Sequence, residues 1–185
     1  PLDILVRGGS IEWGRRFKWP DDYFSGYWIF RTQKKDYQGT DEDLETYLNG
    51  ITSTVGLNIT QVLSRNSHDR AEFPTRGSKL SLVSTLSGGI LGGNEDFHKH
   101  VLNLEWYTPT FWKFVLMSSF KMGVIRPMGS SGDEVSIVPF DEKFIMGGNG
   151  IPYGTMLRGY RDNAVGPRTS SGSPLGGSAM LKFTS

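Results

Sequence analysis

The stretch Trp112-Lys113-Phe114-Val115-Leu116-Met117-Ser118-Ser119-Phe120-Lys121-Met122-Gly123-Val124 is written in a two-residue period. Trp112, Phe114, Leu116, Phe120, Met122 and Val124 share one parity, broken only by Ser118. Lys113, Ser119, Lys121 and Gly123 fall on the other face, with Val115 and Met117 as its apolar exceptions. Successive side chains of a strand point to opposite faces, so this is a strand with one greasy and one mixed side. The segment before it alternates in the same sense, Leu102, Leu104 and Trp106 opposing Lys99, Asn103 and Glu105. Thr108-Pro109-Thr110 lies between them, and Pro109, lacking an N–H, predicts a hairpin turn there.

Working outward, Ile51, Val55, Leu57, Ile59 and Leu63 alternate with Thr52, Thr54, Gly56, Asn58, Thr60 and Ser64. Leu80, Leu82, Leu86 and Ile90 alternate with Ser81, Thr85, Ser87 and Gly89. Strands are also predicted at about Ile4 to Gly14 and Tyr23 to Lys34, around the turn Trp19-Pro20-Asp21-Asp22, and from near Gly177 with Ala179, Leu181 and Phe183 on one face. The reading is all-β and antiparallel. The turns at 19–22 and 108–110 are short, whereas the segments at about 38–50 and 127–175 are long and polar, an asymmetry typical of outer-membrane barrels. Trp106, Tyr107, Phe111 and Trp112 flank one short turn and Trp19, Tyr23 and Phe24 the other, as an aromatic girdle would. Periodicity alone leaves open a soluble β-domain with core aromatics.

Composition narrows the chemistry. The net charge is +1 with the signs interspersed, so no field points to nucleic acid or an acidic substrate. Cysteine is absent, which removes disulfides, thiolate metal sites and thiol nucleophiles. No run of about 18 apolar residues occurs, and that excludes a membrane helix but not membrane strands. The opening Pro-Leu-Asp-Ile, with no Met and no signal region, reads as an interior piece of a longer chain. His98 and His100 share a strand face but lack a third ligand for a metal. Asp21 with Asp22, and Asp41 through Glu45, read as turn caps and a solvated loop rather than as acid–base pairs. Gly147-Gly148-Asn149-Gly150 has no Lys-Ser/Thr after it and is no phosphate cradle. No catalytic constellation is visible, and the chain reads as a non-enzyme without a cofactor.

Several ordered motifs resemble the BamA family of outer-membrane barrels. Phe140 to Gly148, with Gly147 and Gly148, followed by Leu157-Arg158-Gly159-Tyr160 and Val165-Gly166-Pro167, is similar to the family's sixth extracellular loop. Asp69 before Phe73-Pro74-Thr75-Arg76-Gly77 resembles its periplasmic turn. Arg15-Arg16 with Trp19 to Phe24 resembles another turn, and Pro174 to Met180 resembles the strand leaving the loop, with Ser178 where Asn is usual. The segment Asn149 to Met156 is longer than in the best-known members.

The resemblance implies an antiparallel transmembrane β-barrel in a bacterial outer membrane. Residues 1–185 would form a partial barrel domain of about seven consecutive strands, the sixth to the twelfth of roughly sixteen, with a long loop at about 127–175 folded into the lumen. It implies an insertase that folds and inserts outer-membrane proteins, with unfolded clients, assembly-machine lipoproteins and the lipid bilayer as partners and no nucleic acid. A two-partner secretion transporter, a translocation-and-assembly barrel or an ordinary porin are the alternatives. The family's activity is ascribed to the seam between first and last strands, outside this span, so the chain alone is expected to aggregate in water rather than act. Arg158 would turn into the lumen and pair there with an acidic wall residue; Glu105, of inward parity, is a candidate for part of the lumenal charge, while the family's usual partners lie beyond Ser185. Gly159 would release the backbone and Tyr160 would wedge against the wall.

Overall fold

A computed structural model of the chain describes residues 3–41, 44–45, 52–128, 138–150 and 154–185. Among the described residues seven strands make one sheet in chain order: β1 (Asp3–Arg16), β2 (Phe24–Gln38), β3 (Ser53–Asn66), β4 (Gly77–Ser87), β5 (Phe97–Pro109), β6 (Val115–Pro127) and β7 (Ala179–Thr184). Every neighbouring pair is antiparallel, and the register is uninterrupted from Asp3↔Gln38 to Arg16↔Ser25 and from Phe97↔Pro127 to Pro109↔Val115. β1 to β6 have 11 to 15 residues, enough for a tilted strand to cross a bilayer. The connections at 17–23, 67–76 and 110–114 share one rim, and those at 39–52, 88–96 and 128–178 the other. The second rim carries the longer excursions and is the extracellular one for a barrel of this kind.

The faces are inverted relative to a water-soluble sheet. Thr54, Asn58, Lys35, Ser87 and Glu95 are buried, whereas Ile11 is 74% exposed, Phe30 50% and Leu116 49%. In β3 the even positions Thr54, Gly56 and Asn58 are buried and Val55, on the odd parity, is exposed. A soluble sandwich would bury the aliphatic parity, so the outward face of this sheet requires lipid. Leu57, Leu82 and Phe114 lie outside any closed apolar interior, Phe114 at 63% exposure. The aromatic clusters fall where girdle residues belong, since Trp19, Tyr23, Phe111 and Trp112 are all exposed on the short-turn rim.

Three boundaries differ from the sequence reading. The turn lies at 110–114, not at 108–110, because Pro109 is the last residue of β5 and pairs with Val115. The missing N–H of Pro109 terminates the ladder without preventing the pairing. Thr110 holds the turn, its amide and hydroxyl donating to the Phe114 carbonyl at 3.0 and 3.1 Å, and Trp112 adopts φ 53°. Trp112 and Phe114 therefore belong to the turn rather than to β6. β4 ends at Ser87, since Gly88 and Gly89 take positive φ and lead into a 3-10 turn at Gly89–Leu91 that contains Ile90. Ile51, with parts of the predicted loops at about 38–50 and 127–175, lies outside the described residues.

Arg on the outward face should be far more costly than Arg one residue away. In the complete barrel, Leu82→Arg is expected to lower stability in lipid vesicles by about 2–4 kcal/mol, while the inward Ser81→Arg changes it by under about 1 kcal/mol. Denaturant unfolding followed by tryptophan fluorescence distinguishes them, and equal losses would contradict the assigned faces.

Candidate functional site: the long loop on the inner wall

The connection between β6 and β7 is organised around one extended run, Phe144 to Gly148. Phe144 exchanges backbone hydrogen bonds with Gly177 at 2.9 and 2.7 Å, and Met146 does so with Val165 at 3.1 and 2.9 Å. On the other side Gly147 N–H donates to the Thr155 carbonyl and Thr155 N–H to the Ile145 carbonyl. The two glycine-bearing motifs meet at Gly148, whose N–H donates to the Tyr160 carbonyl at 3.1 Å while Leu157 N–H donates to the Gly148 carbonyl at 3.2 Å. Only glycine fits at 148: φ is 40°, and a Cβ would collide with the Asp162 carboxylate, which accepts the Asn149 amide at 2.9 Å.

This run lies against the inward face of the sheet and is held there by charge. Lys35 of β2, its side chain 3% exposed, donates to Asp141 Oδ2 at 3.0 Å and stands 3.4 Å from Glu95 Oε1. Thr54 of β3 donates to the same Glu95 Oε1 at 2.7 Å, and the Tyr37 hydroxyl is 3.4 Å from Thr54 Oγ1. Gly56 makes room for Glu95, since a Cβ there would stand 2.5 Å from its carboxylate. Lys99 of β5 donates to Glu142 Oε2 at 2.9 Å and to the Glu142 carbonyl at 2.8 Å, with its ammonium 5.2 Å from the Phe144 ring centre. Phe144 occupies the space above Gly123, where a Cβ would come within 2.5 Å of the ring. Lys121 reaches Thr155 Oγ1 at 3.4 Å and Lys182 the Met156 carbonyl at 2.8 Å. Four inward lysines thus face one loop. Lys35 and Glu95 were not singled out from the sequence; the even spacing of Gln33, Lys35 and Tyr37 on the inward parity is the signal that could have found them.

Arg158 is exposed at the loop tip, and among the described residues it forms no hydrogen bond or ion pair. Glu105 does face inward, but it accepts from Asn103 Nδ2 at 3.3 Å and not from Arg158. Gly159 has φ 85° with open space around it, so its role is conformational, and Tyr160 is 56% exposed rather than wedged.

The turn between β3 and β4 is built on Asp69. Its carboxylate accepts the Thr75 hydroxyl at 2.5 Å and the amides of Thr75 and Arg76 at 2.9 and 3.1 Å. Those bonds, from Thr75 first, hold its carboxyl well below the usual carboxylate range. Pro74 is half-buried in this turn, Gly77 takes φ 112° against the Ser67 carbonyl, and Phe73 stands 86% exposed at φ 51°. Arg65 braces the rim, donating to Asp21 Oδ2 at 2.9 Å, and to Ser67 and Ser78. Asp21 is therefore an ion-pair partner and a cap for the Tyr23 amide, not half of a carboxylate dyad. His98 and His100 point outward with rings 5.3 Å apart, and no cluster of three potential ligands exists among the described residues. The Asp41 to Glu45 segment is only partly described.

Comparison with known proteins agrees with this geometry. Residues 3–185 match the model of the Omp85 superfamily domain. The outer membrane protein assembly factor BamA of Nitratidesulfovibrio vulgaris is 29% identical over 171 residues, 89% of this chain and 20% of that protein. The human sorting and assembly machinery component 50 homolog is 30% identical over 116 residues, 63% of this chain and 22% of that protein. The crystal structure of BamA from Haemophilus ducreyi lacking POTRA domains 1–3 shares the fold, with a TM-score of 0.77 at 20% identity over 96% of this chain and 36% of that one. The chain thus spans about a fifth of the curated relatives it matches.

Two outcomes are expected. Lys35→Met leaves Glu95 and Asp141 buried without their cation, and removing one partner of a buried pair costs about 3–5 kcal/mol. Protease cleavage within 138–178 should therefore accelerate in the complete barrel while the strands stay protected; unchanged cleavage would show that the pair does not hold the loop. Because the Asp69 carboxyl is depressed, its contribution is present above the ordinary carboxyl range and lost only as pH falls below that range. Asp69→Asn should expose the 67–76 turn to proteolysis at neutral pH, an effect that disappears in strong acid.

Proposed function

The chain belongs to the Omp85 superfamily and is an integral outer-membrane protein, and from that premise we propose that it is part of a barrel that folds and inserts other outer-membrane proteins. The single observation that carries this reading is the long loop docked on the inner wall, with Gly147-Gly148 and Leu157-Arg158-Gly159-Tyr160 joined at Gly148. Four inward lysines hold that loop to the wall, so the interior is fixed while a client pairs at exchanging strand edges. The work requires backbone pairing and a bilayer, with no cofactor and no covalent step. The clients are unfolded outer-membrane proteins, and assembly lipoproteins would bind the same machine.

Within this reading Arg158 is the loop's remaining anchor. It stands at a tip already shaped by Gly148 and Gly159, free to engage an acidic side chain of the barrel wall. A planar guanidinium can grip a carboxylate with two parallel bonds, which an ammonium cannot. In the full-length protein, Arg158→Ala is expected to lower the level of assembled barrel and the insertion of clients, and Arg158→Lys to restore little of either. Normal assembly and an intact outer membrane in an Arg158→Ala strain would overturn the assignment.

A further inference from the structure

Outside the lumen, the lipid-facing side of the sheet is not uniformly apolar. On that face the register aligns Gly9 with Thr32 and Leu57 in one row, and Ile11 with Phe30 and Ile59 in the row beneath. Gly9 contributes no side chain, and a Cβ there would meet nothing within 4 Å. The result is a groove of about 610 Å³ lined by Gly9, Ile11, Phe30, Thr32, Leu57 and Leu91. Leu91 comes from the 88–96 connection, whose Gly88 amide donates to the Leu57 carbonyl.

The row toward the extracellular rim pairs Arg7 with Lys34, and Lys34 with Val55. Arg7 is exposed and the Lys34 side chain is 55% exposed, with its ammonium 3.3 Å from Asp36 Oδ1. The next row sets Leu5, 46% exposed, beside Asp36 and Ser53, so the two cations sit at the extracellular edge of the apolar band. Asp36 balances one of them. Ionisable side chains facing hydrocarbon are costly unless something neutralises or hydrates them, and long basic side chains reach toward headgroups for that reason.

We propose that this groove is a site for one anionic lipid, an acyl chain lying over Gly9 between Phe30, Leu57 and Leu91 and the headgroup phosphate held by Arg7 and Lys34. The occupant is a lipid rather than a protein, since the groove opens to the bilayer and joins an apolar channel to a cluster of Arg7, Lys34 and Asp36 that is net positive. It does not depend on the insertase reading, because the site uses only the outward face.

The test is native mass spectrometry of the full-length protein in detergent, titrated in parallel with phosphatidylglycerol and phosphatidylcholine. The wild type should retain one phosphatidylglycerol at concentrations where phosphatidylcholine is lost. Gly9→Trp fills the groove without straining the backbone and should retain neither. Arg7→Gln with Lys34→Gln should bring phosphatidylglycerol down to the phosphatidylcholine level, about fivefold for each cation removed. Heat-modifiable gel mobility checks that each variant is folded; should Gly9→Trp fail to fold, the double variant decides alone. Equal retention of both lipids by the wild type, undiminished phosphatidylglycerol on the folded variants, or a dimer of the protein in place of a lipid adduct would each overturn the proposal.

Discussion

The structure depends on the rule that backbone N–H and C=O groups meeting hydrocarbon must be satisfied within the chain. Among the described residues antiparallel pairing does this for every strand between β1 and β7, leaving the outer edges of those two unpaired, and the pleat then decides which side chains meet lipid. Once Ile11, Phe30, Leu57 and Leu102 are turned outward, Lys35, Thr54, Asn58 and Lys99 have no choice but to face in. A polar wall is therefore a by-product of an apolar exterior. The long loop makes use of that wall: it is polar enough to dock there, and its acids at 141 and 142 find lysines already in position.

Much of this architecture was legible because period two survives in a single sequence. The alternation in Val55 to Leu63 and Leu102 to Trp106 placed strands and faces together, and the contrast of short and long connections assigned the rims. The misplaced features have local causes. Pro109 suggested a turn, yet a proline can close an edge of a ladder, so the turn moved to Thr110 through Phe114. Ile90 fitted the parity of β4, but the paired glycines at 88 and 89 ended the strand first.

The loop was less legible. Its motifs stand out as sequence, and the meeting of Gly148 with Leu157 and Tyr160 gives them a common geometry. What holds the loop could not be read off, because Lys35, Glu95 and Asp141 are far apart in the chain and come together only through the register of intervening strands. The Arg158 expectation rests on resemblance, and the stretch just before the tip is reached from the wall by Lys121 of β6 at Thr155 and Lys182 of β7 at Met156.

The link between Lys35 and Asp141 joins residues 106 positions apart. Closing so large a separation directly would be entropically slow, but each hairpin shortens the effective path, and by the time β6 has zipped onto β5 the two groups stand on facing surfaces. Were β2 slipped by one residue, the Lys35 ammonium would turn toward lipid and Asp141 would lose its mate. The ion pair is thus compatible with only one register of β2, and its geometry carries a record of that register.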